Sequence, residues 1–337
     1  MSSRRVPRGP RRIDRFRRTI STILSQTSAR VRFPTKIAIA AFVLGAAYLL
    51  WTPDKDRARL EALYASRPTD LRMVAGVRLH VRDDGPRDAP VLVLLHGFGS
   101  SLHTWQAWAE TLARDYRVIR FDLPGSGLSA ADPGNDYRDA RSHQVLRALL
   151  DTLRVDRATL IGNSLGGRVA WSFAAKYPTR VERLVLISPD GFASPGFEYD
   201  KAAEVPITME VMRYVLPKPL LTMSLEPAYA DPAAMTDALA TRYYDLMLAP
   251  GARAAMLARM RQTVLTDPVS ALQRIEAPTL LLWGTEDQMI PFTNAADYTR
   301  ALPHVTLVAL PGLGHVPFEE APQRSLVPVL EFLRRTP

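Results

Sequence analysis

Three residues far apart in the chain have the types that nucleophilic chemistry at an acyl carbon needs. Ser164 stands between Gly162 and Gly166 in "LIGNSLGGRVAW" (160–171), Asp287 lies four residues past Trp283 in "LLLWGTEDQMIP", and His315 sits in "VALPGLGHVPFEEAP". A serine hydroxyl is a weak nucleophile until a base takes its proton. An imidazole can do this near neutral pH when a carboxylate fixes its tautomer and stabilises the imidazolium. The glycines fit a nucleophile on a sharp strand-to-helix turn, where neighbouring side chains must be small and the helix N-terminus favours developing negative charge. G-x-S-x-G alone arises by chance. The downstream acid and base, in the order Ser, Asp, His, make it specific. The chain has no cysteine, which removes disulfides, thiolate metal sites and a cysteine nucleophile.

Such residues need a framework. From Leu71 onward, short β-rich runs alternate with helical stretches. "LRMV" and "VRLHVRD" flank the turn Ala75-Gly76 and predict a hairpin. Then come "VLVLL" (91–95), "RVIRF" (117–121), "ATLIG" (158–162), "RLVLIS" (183–188), "TLLLW" (279–283) and "VTLVAL" (305–310). Near-continuous Val, Leu and Ile are the mark of strands buried on both faces of a parallel sheet. The expected fold is α/β: an eight-stranded, mostly parallel, doubly wound sheet with a hairpin at its start. About ninety residues separate strands six and seven, far more than a crossover needs. Segments such as "EVMRYVLPKPLL" and "GARAAMLARMRQTVL" give that stretch a helical character. Residues 192–268 are therefore expected to form a helical cap over the carboxyl ends of the strands, with 71–191 and 269–337 as the core.

The net charge of +9 belongs to the N-terminal tail. Residues 1–36 hold eleven Lys and Arg against Asp14 alone, a net +10, so the other 301 residues sum to −1. A near-neutral body argues against nucleic acid as a partner. The tail runs into "IAIAAFVLGAAYLLW" (37–51), and Thr52 and Pro53 extend the uncharged run to seventeen residues. The span 37–53 reads as an uncleaved transmembrane signal anchor, with 54–70 as a linker. A cleaved signal peptide has a poor site at Gly45-Ala46-Ala47, and a buried helix fits badly with a run apolar on every face. The arginines predict a cytoplasmic N-terminus, hence a single-pass membrane protein with its catalytic domain on the periplasmic or extracellular side.

From Leu71 to the C-terminus the chain resembles the α/β-hydrolase fold family. The stretches that carry the likeness are "LLHGFGSS" (94–101), "DLPGSGLS" (122–129), "GNSLGG" (162–167), "WGTEDQMIP" (283–291) and "GHVPFEEAP" (314–322), five motifs in order. The resemblance implies a Ser164-His315-Asp287 triad, an oxyanion hole from the Phe98 and Leu165 N–H groups, an acyl-enzyme, and no metal or organic cofactor. Some relatives carry the acid after strand six, where Asp190 stands in "ISPDGF". Glu286, beside Asp287, is expected to point away. His96 belongs to the HG turn and is expected to bond locally. His80, His103, His143 and His304 read as surface or packing residues.

A serine at position 164 sets aside the aspartate-nucleophile dehalogenases and epoxide hydrolases of this fold. The elbow resembles those of bacterial esterases and lipases and of hydrolases that split carbon–carbon bonds in ring-fission products. The latter commonly carry tryptophan after the histidine, where this chain has Val316. Cofactor-free haloperoxidases share the triad, and some members of the fold are non-catalytic receptors, against which the complete set of three residues argues. Seven of the ten methionines lie in 192–268. They either form a pliable apolar surface for acyl chains or pack the cap. With the expected anchor, they lean the sequence reading toward an apolar or lipid-derived carboxylic ester.

Overall fold

The computed structural model describes residues 37–40, 45, 48–193 and 198–335. Eight strands form one sheet: β1 (Leu71–Val74), β2 (Val77–Asp84), β3 (Val91–Leu95), β4 (Arg117–Phe121), β5 (Ala158–Asn163), β6 (Val181–Ile187), β7 (Thr279–Gly284) and β8 (Val305–Leu310), in the order β1-β2-β4-β3-β5-β6-β7-β8. β2 runs antiparallel to β1 and β4, and the other neighbours pair in parallel.

The apolar runs behave as their composition demands. Along β3, Val93 and Leu95 enter one core while Leu92 and Leu94 enter the other; along β7, Leu281 and Trp283 face opposite to Leu280 and Leu282. Successive side chains of a strand point to opposite faces, so an unbroken Val/Leu run supplies two cores at once. One core packs α3 (Asp139–Thr152), α4 (Leu165–Lys176) and α10 (Ala295–Ala301) on the sheet; the other packs α2 (Gln106–Leu112), α11 (Pro317–Glu320) and α12 (Pro322–Arg334). β8, at the sheet edge, is half-open and has only Leu310 fully buried.

Between β6 and β7 the chain forms α5 (Ile207–Val211), α6 (Lys218–Leu225), α7 (Asp237–Met247), α8 (Ala252–Gln262) and α9 (Val269–Leu272). Leu272 of α9 already belongs to the sheet core. Leu216, Leu221, Tyr243, Met247 and Leu248 form a separate apolar cluster among the inserted helices.

Residues 54–70 are not a linker. They contain α1 (Arg57–Tyr64), capped where the Asp56 carboxylate accepts the Arg59 N–H at 2.8 Å. Leu60 is buried with Leu128, Leu246, Ala249 and Ala252. Lys55 and the Tyr64 hydroxyl both bind Asp245, and Asp54 binds Arg253 at 2.7 Å. This segment thus bolts the inserted helices to the body.

The expected single-pass membrane location is overturned. Among the described residues no helix is long and apolar enough to cross a membrane. Helical residues near the apolar run end at Leu50. Thr52, counted into the span for want of charge, instead donates its N–H to Tyr214 O at 2.7 Å and belongs to the folded body. The expected basic tail, 1–36, lies outside the described residues.

Candidate active site

Ser164 sits between β5 and α4 with φ 52° and ψ −119°, a left-handed conformation for a residue with a Cβ. Such strain persists only where the surroundings enforce it. Here the Ser164 N–H is held by Ile187 O (3.1 Å), and its carbonyl accepts from Arg168 N (2.9 Å) and Asp190 N (3.1 Å). The turn is too tight for side chains nearby. A Cβ on Gly162 would lie 2.3 Å from Gly166 O, and one on Gly166 would lie 2.2 Å from Leu95 O.

His315, in the loop after β8, is brought to this turn from two sides. Its carbonyl accepts Asn163 Nδ2 at 3.0 Å, and its N–H donates to Ala228 O at 2.8 Å. Its Nδ1 lies 2.8 Å from Asp287 Oδ2, and both side chains are buried. Oδ1 of the same carboxylate accepts the N–H groups of Met289 (2.8 Å) and Ile290 (2.9 Å), which fixes its orientation. Bonded in this way, the carboxylate favours the imidazole tautomer with the proton on Nδ1, leaving Nε2 as a potential base. Among the described residues neither His315 Nε2 nor Ser164 Oγ has a hydrogen-bond partner; catalytic bonds are often open until substrate enters.

Asp190 is engaged elsewhere. Its carboxylate pairs with Arg168, 3.3 Å away, and burial raises its pKa. Glu286 is exposed and meets Thr285.

The first N–H of α4 belongs to Leu165 and has no intrahelical acceptor. The Phe98 N–H is also unengaged among the described residues. Gly97 sets the approach of this loop: a Cβ there would lie 2.9 Å from Asn163 Oδ1 and 3.4 Å from Ser164 Cβ. His96 holds the turn by donating from Nδ1 to Gly97 O (2.8 Å) and accepting Leu123 N–H at Nε2 (3.0 Å). Burial keeps that ring neutral by lowering its pKa. Phe98 and Leu165 line a narrow cleft together with Gly125–Gly127 and with Tyr243 and Met247 of the inserted helices. Of the seven cap methionines only Met247 and Met256 reach it, and Met223 is exposed to solvent, so most of them do not shape the cleft.

Several residues here were not singled out by sequence. Asn163 is one. Glu319 is another: it accepts from the Tyr229 and Tyr243 hydroxyls, each at 2.8 Å, and pairs with Arg242. Glu320 accepts from Gly314 N (2.8 Å), Ala230 N and Asp231 N (3.0 Å each). The two glutamates clamp the cap to the histidine loop. Their only signal was "PFEEAP", which places them four and five residues beyond the histidine.

A model of the alpha/beta hydrolase fold matches residues 90–322. The chain is 33% identical over 279 residues to an uncharacterised protein of Mycobacterium tuberculosis, covering 79% of this chain and 81% of that one. It is 30% identical over 269 residues to a 2-hydroxy-6-oxononadienedioate/2-hydroxy-6-oxononatrienedioate hydrolase of Burkholderia vietnamiensis, covering 77% and 92%. Among solved structures, the enol-lactonase of Burkholderia xenovorans LB400 superposes with a TM-score of 0.68 at 25% identity, over 79% of this chain and all of that one. With the family model spanning well over half of its length, the chain belongs to the α/β-hydrolase fold family.

Proposed function

We propose that Ser164, His315 and Asp287 act as nucleophile, base and orienting acid, with the Phe98 and Leu165 N–H groups receiving the oxyanion, in the hydrolysis of an acyl bond. The observation that carries this reading is the 2.8 Å His315–Asp287 bond, held by Asn163 beside a serine at φ 52°. His315 Nε2 takes the hydroxyl proton as Ser164 Oγ adds to the carbonyl carbon. The tetrahedral adduct collapses, the leaving group departs with the bonding pair, and the imidazolium returns the proton to it. Water then adds to the acyl-enzyme with His315 as base, and a carboxylic acid and free serine result. Each oxyanion donor is worth about 3 kcal/mol at the transition state.

For the bond cleaved, we favour a carbon–carbon bond in a ring-fission dienoate, whose leaving carbanion is stabilised as a dienolate. The support is the likeness to the dienedioate hydrolase over nine-tenths of that enzyme's length. Ester hydrolysis is the second reading. It is favoured by Val316, where carbon–carbon hydrolases commonly have tryptophan, and by the likeness to the enol-lactonase. The two separate on one plate: kcat/KM for 2-hydroxy-6-oxononadienedioate against p-nitrophenyl butyrate, with Ser164→Ala as the control. The first reading expects the dienedioate to be the better substrate and both activities to need Ser164. Turnover of the ester alone assigns the enzyme to the second.

A further inference from the structure

Arg259, on α8, is the one charged side chain lining the cleft among the described residues. It is 4% exposed. The other deeply buried arginines have their charge answered. Arg120 meets Asp84, Arg168 meets Asp139 and Asp190, and Arg253 meets Asp54, while Arg183 gives bonds to three carbonyls at the end of α12. Arg259 has no carboxylate partner among the described residues. Nη2 donates to Pro124 O at 2.9 Å, and the guanidinium lies 5.1 Å from the centre of the Tyr137 ring. Burial lowers its pKa to about 10, which leaves it cationic at neutral pH.

Beyond that carbonyl and ring face, Asp139 and Asp132 attract the guanidinium only from beyond ion-pair distance, and desolvation costs several kcal/mol unless the remaining donors are met. Nε and Nη1 make no hydrogen bond among the described residues, so donors on two sides of the guanidinium remain for a carboxylate oxygen. The rest of the lining, Gly125, Ser126 and Gly127 among it, includes no acidic residue. We propose that Arg259 is a specificity-determining residue that binds a carboxylate of the substrate within this cleft. This takes the cleft to be the substrate site of the hydrolase reading above, and it selects anionic substrates over neutral ones of the same length.

The test separates binding from turnover. The full chain carrying Ser164→Ala is titrated by calorimetry with the monomethyl esters of succinate, adipate and suberate, and with the corresponding dimethyl esters. The expected result is that at least one monoanion binds about tenfold or more tightly than its neutral diester. Adding Arg259→Gln should abolish that preference, and adding Arg259→Lys, which keeps the charge, should retain part of it. Equal binding of both series, no binding by either, or a preference that survives Arg259→Gln would overturn the subsite. If the preference depends on Arg259 but the chain with Ser164 intact hydrolyses none of the esters and no dienedioate, the subsite stands and the hydrolase reading falls.

Discussion

Asn163 Nδ2 bridges the carbonyls of His315, at 3.0 Å, and Ile187, at 3.1 Å. The residue beside the nucleophile therefore holds the loop that carries the base. Replacing it by alanine leaves the His315 carbonyl without its donor, at a cost of about 1–3 kcal/mol if no water enters, while Ile187 O keeps the Ser164 N–H. Asn163→Ala is expected to lower the urea midpoint and to reduce kcat more than it raises KM, because the proton-transfer geometry loosens while the cleft walls stay. Unchanged kcat in a folded variant would place the organisation of the histidine loop elsewhere.

The two candidate acids separate by mutation. Asp287→Asn should cost about ten-thousand-fold in turnover, through the wrong imidazole tautomer. Asp190→Asn should weaken the Arg168 pair under the elbow and act mainly on stability. Steady-state kinetics and thermal denaturation of both variants decide it, and a reversed ranking would move the orienting acid to the end of β6.

Gly166 tests the packing of the elbow. A Cβ there meets two backbone oxygens, Leu95 O at 2.2 Å and His96 O at 2.7 Å, and neither belongs to a side chain that can rotate away. Gly166→Ala is expected to lose about 3 kcal/mol or more. Urea titration reads this, and a wild-type midpoint would contradict the close approach of α4 to β3.

Acid sensitivity follows from a buried imidazole. Burial lowers the pKa of His143 to about 4. Its Nε2 bonds Ser172 Oγ at 2.8 Å, and its Nδ1 is buried without a partner. In the unfolded chain the same ring titrates near 6.5. Between about pH 6.5 and 4 the unfolded state binds the extra proton, so stability is fully present above 6.5 and falls as the pH drops toward 4. Urea midpoints at pH 7 and pH 5 should differ less in His143→Gln than in the wild type. An identical pH dependence in both would remove His143 as a source.

The sheet was legible because each strand carries its own evidence. "VLVLL" and "TLLLW" need apolar surroundings on both faces, and only the interior of a parallel sheet supplies them. Ser164 was legible because its turn excludes side chains, so its glycines appear in the sequence. What was missed depends on contacts between segments distant in the chain. α1 buries a single leucine, Leu60, which gives no periodic stripe, and its partners Asp245 and Arg253 lie almost two hundred residues on. α8 is rich in arginine and reads as a solvated helix, yet Arg253 and Arg259 are buried while Arg261 is half-exposed. The apolar run at 37–51 was over-read because hydropathy counts Thr52 and Pro53 as part of a span, and the backbone of Thr52 is bonded into the folded body instead.

In the proposed reaction His315 and Asp287 make Ser164 nucleophilic. The most direct measurement is the intact mass of the full chain after treatment with a fluorophosphonate, followed by mapping of the modified peptide. The expected result is one adduct, on Ser164, that is absent in Ser164→Ala and forms far more slowly in Asp287→Asn. No adduct on the folded wild-type chain, or an adduct on another residue that persists in Ser164→Ala, would contradict it.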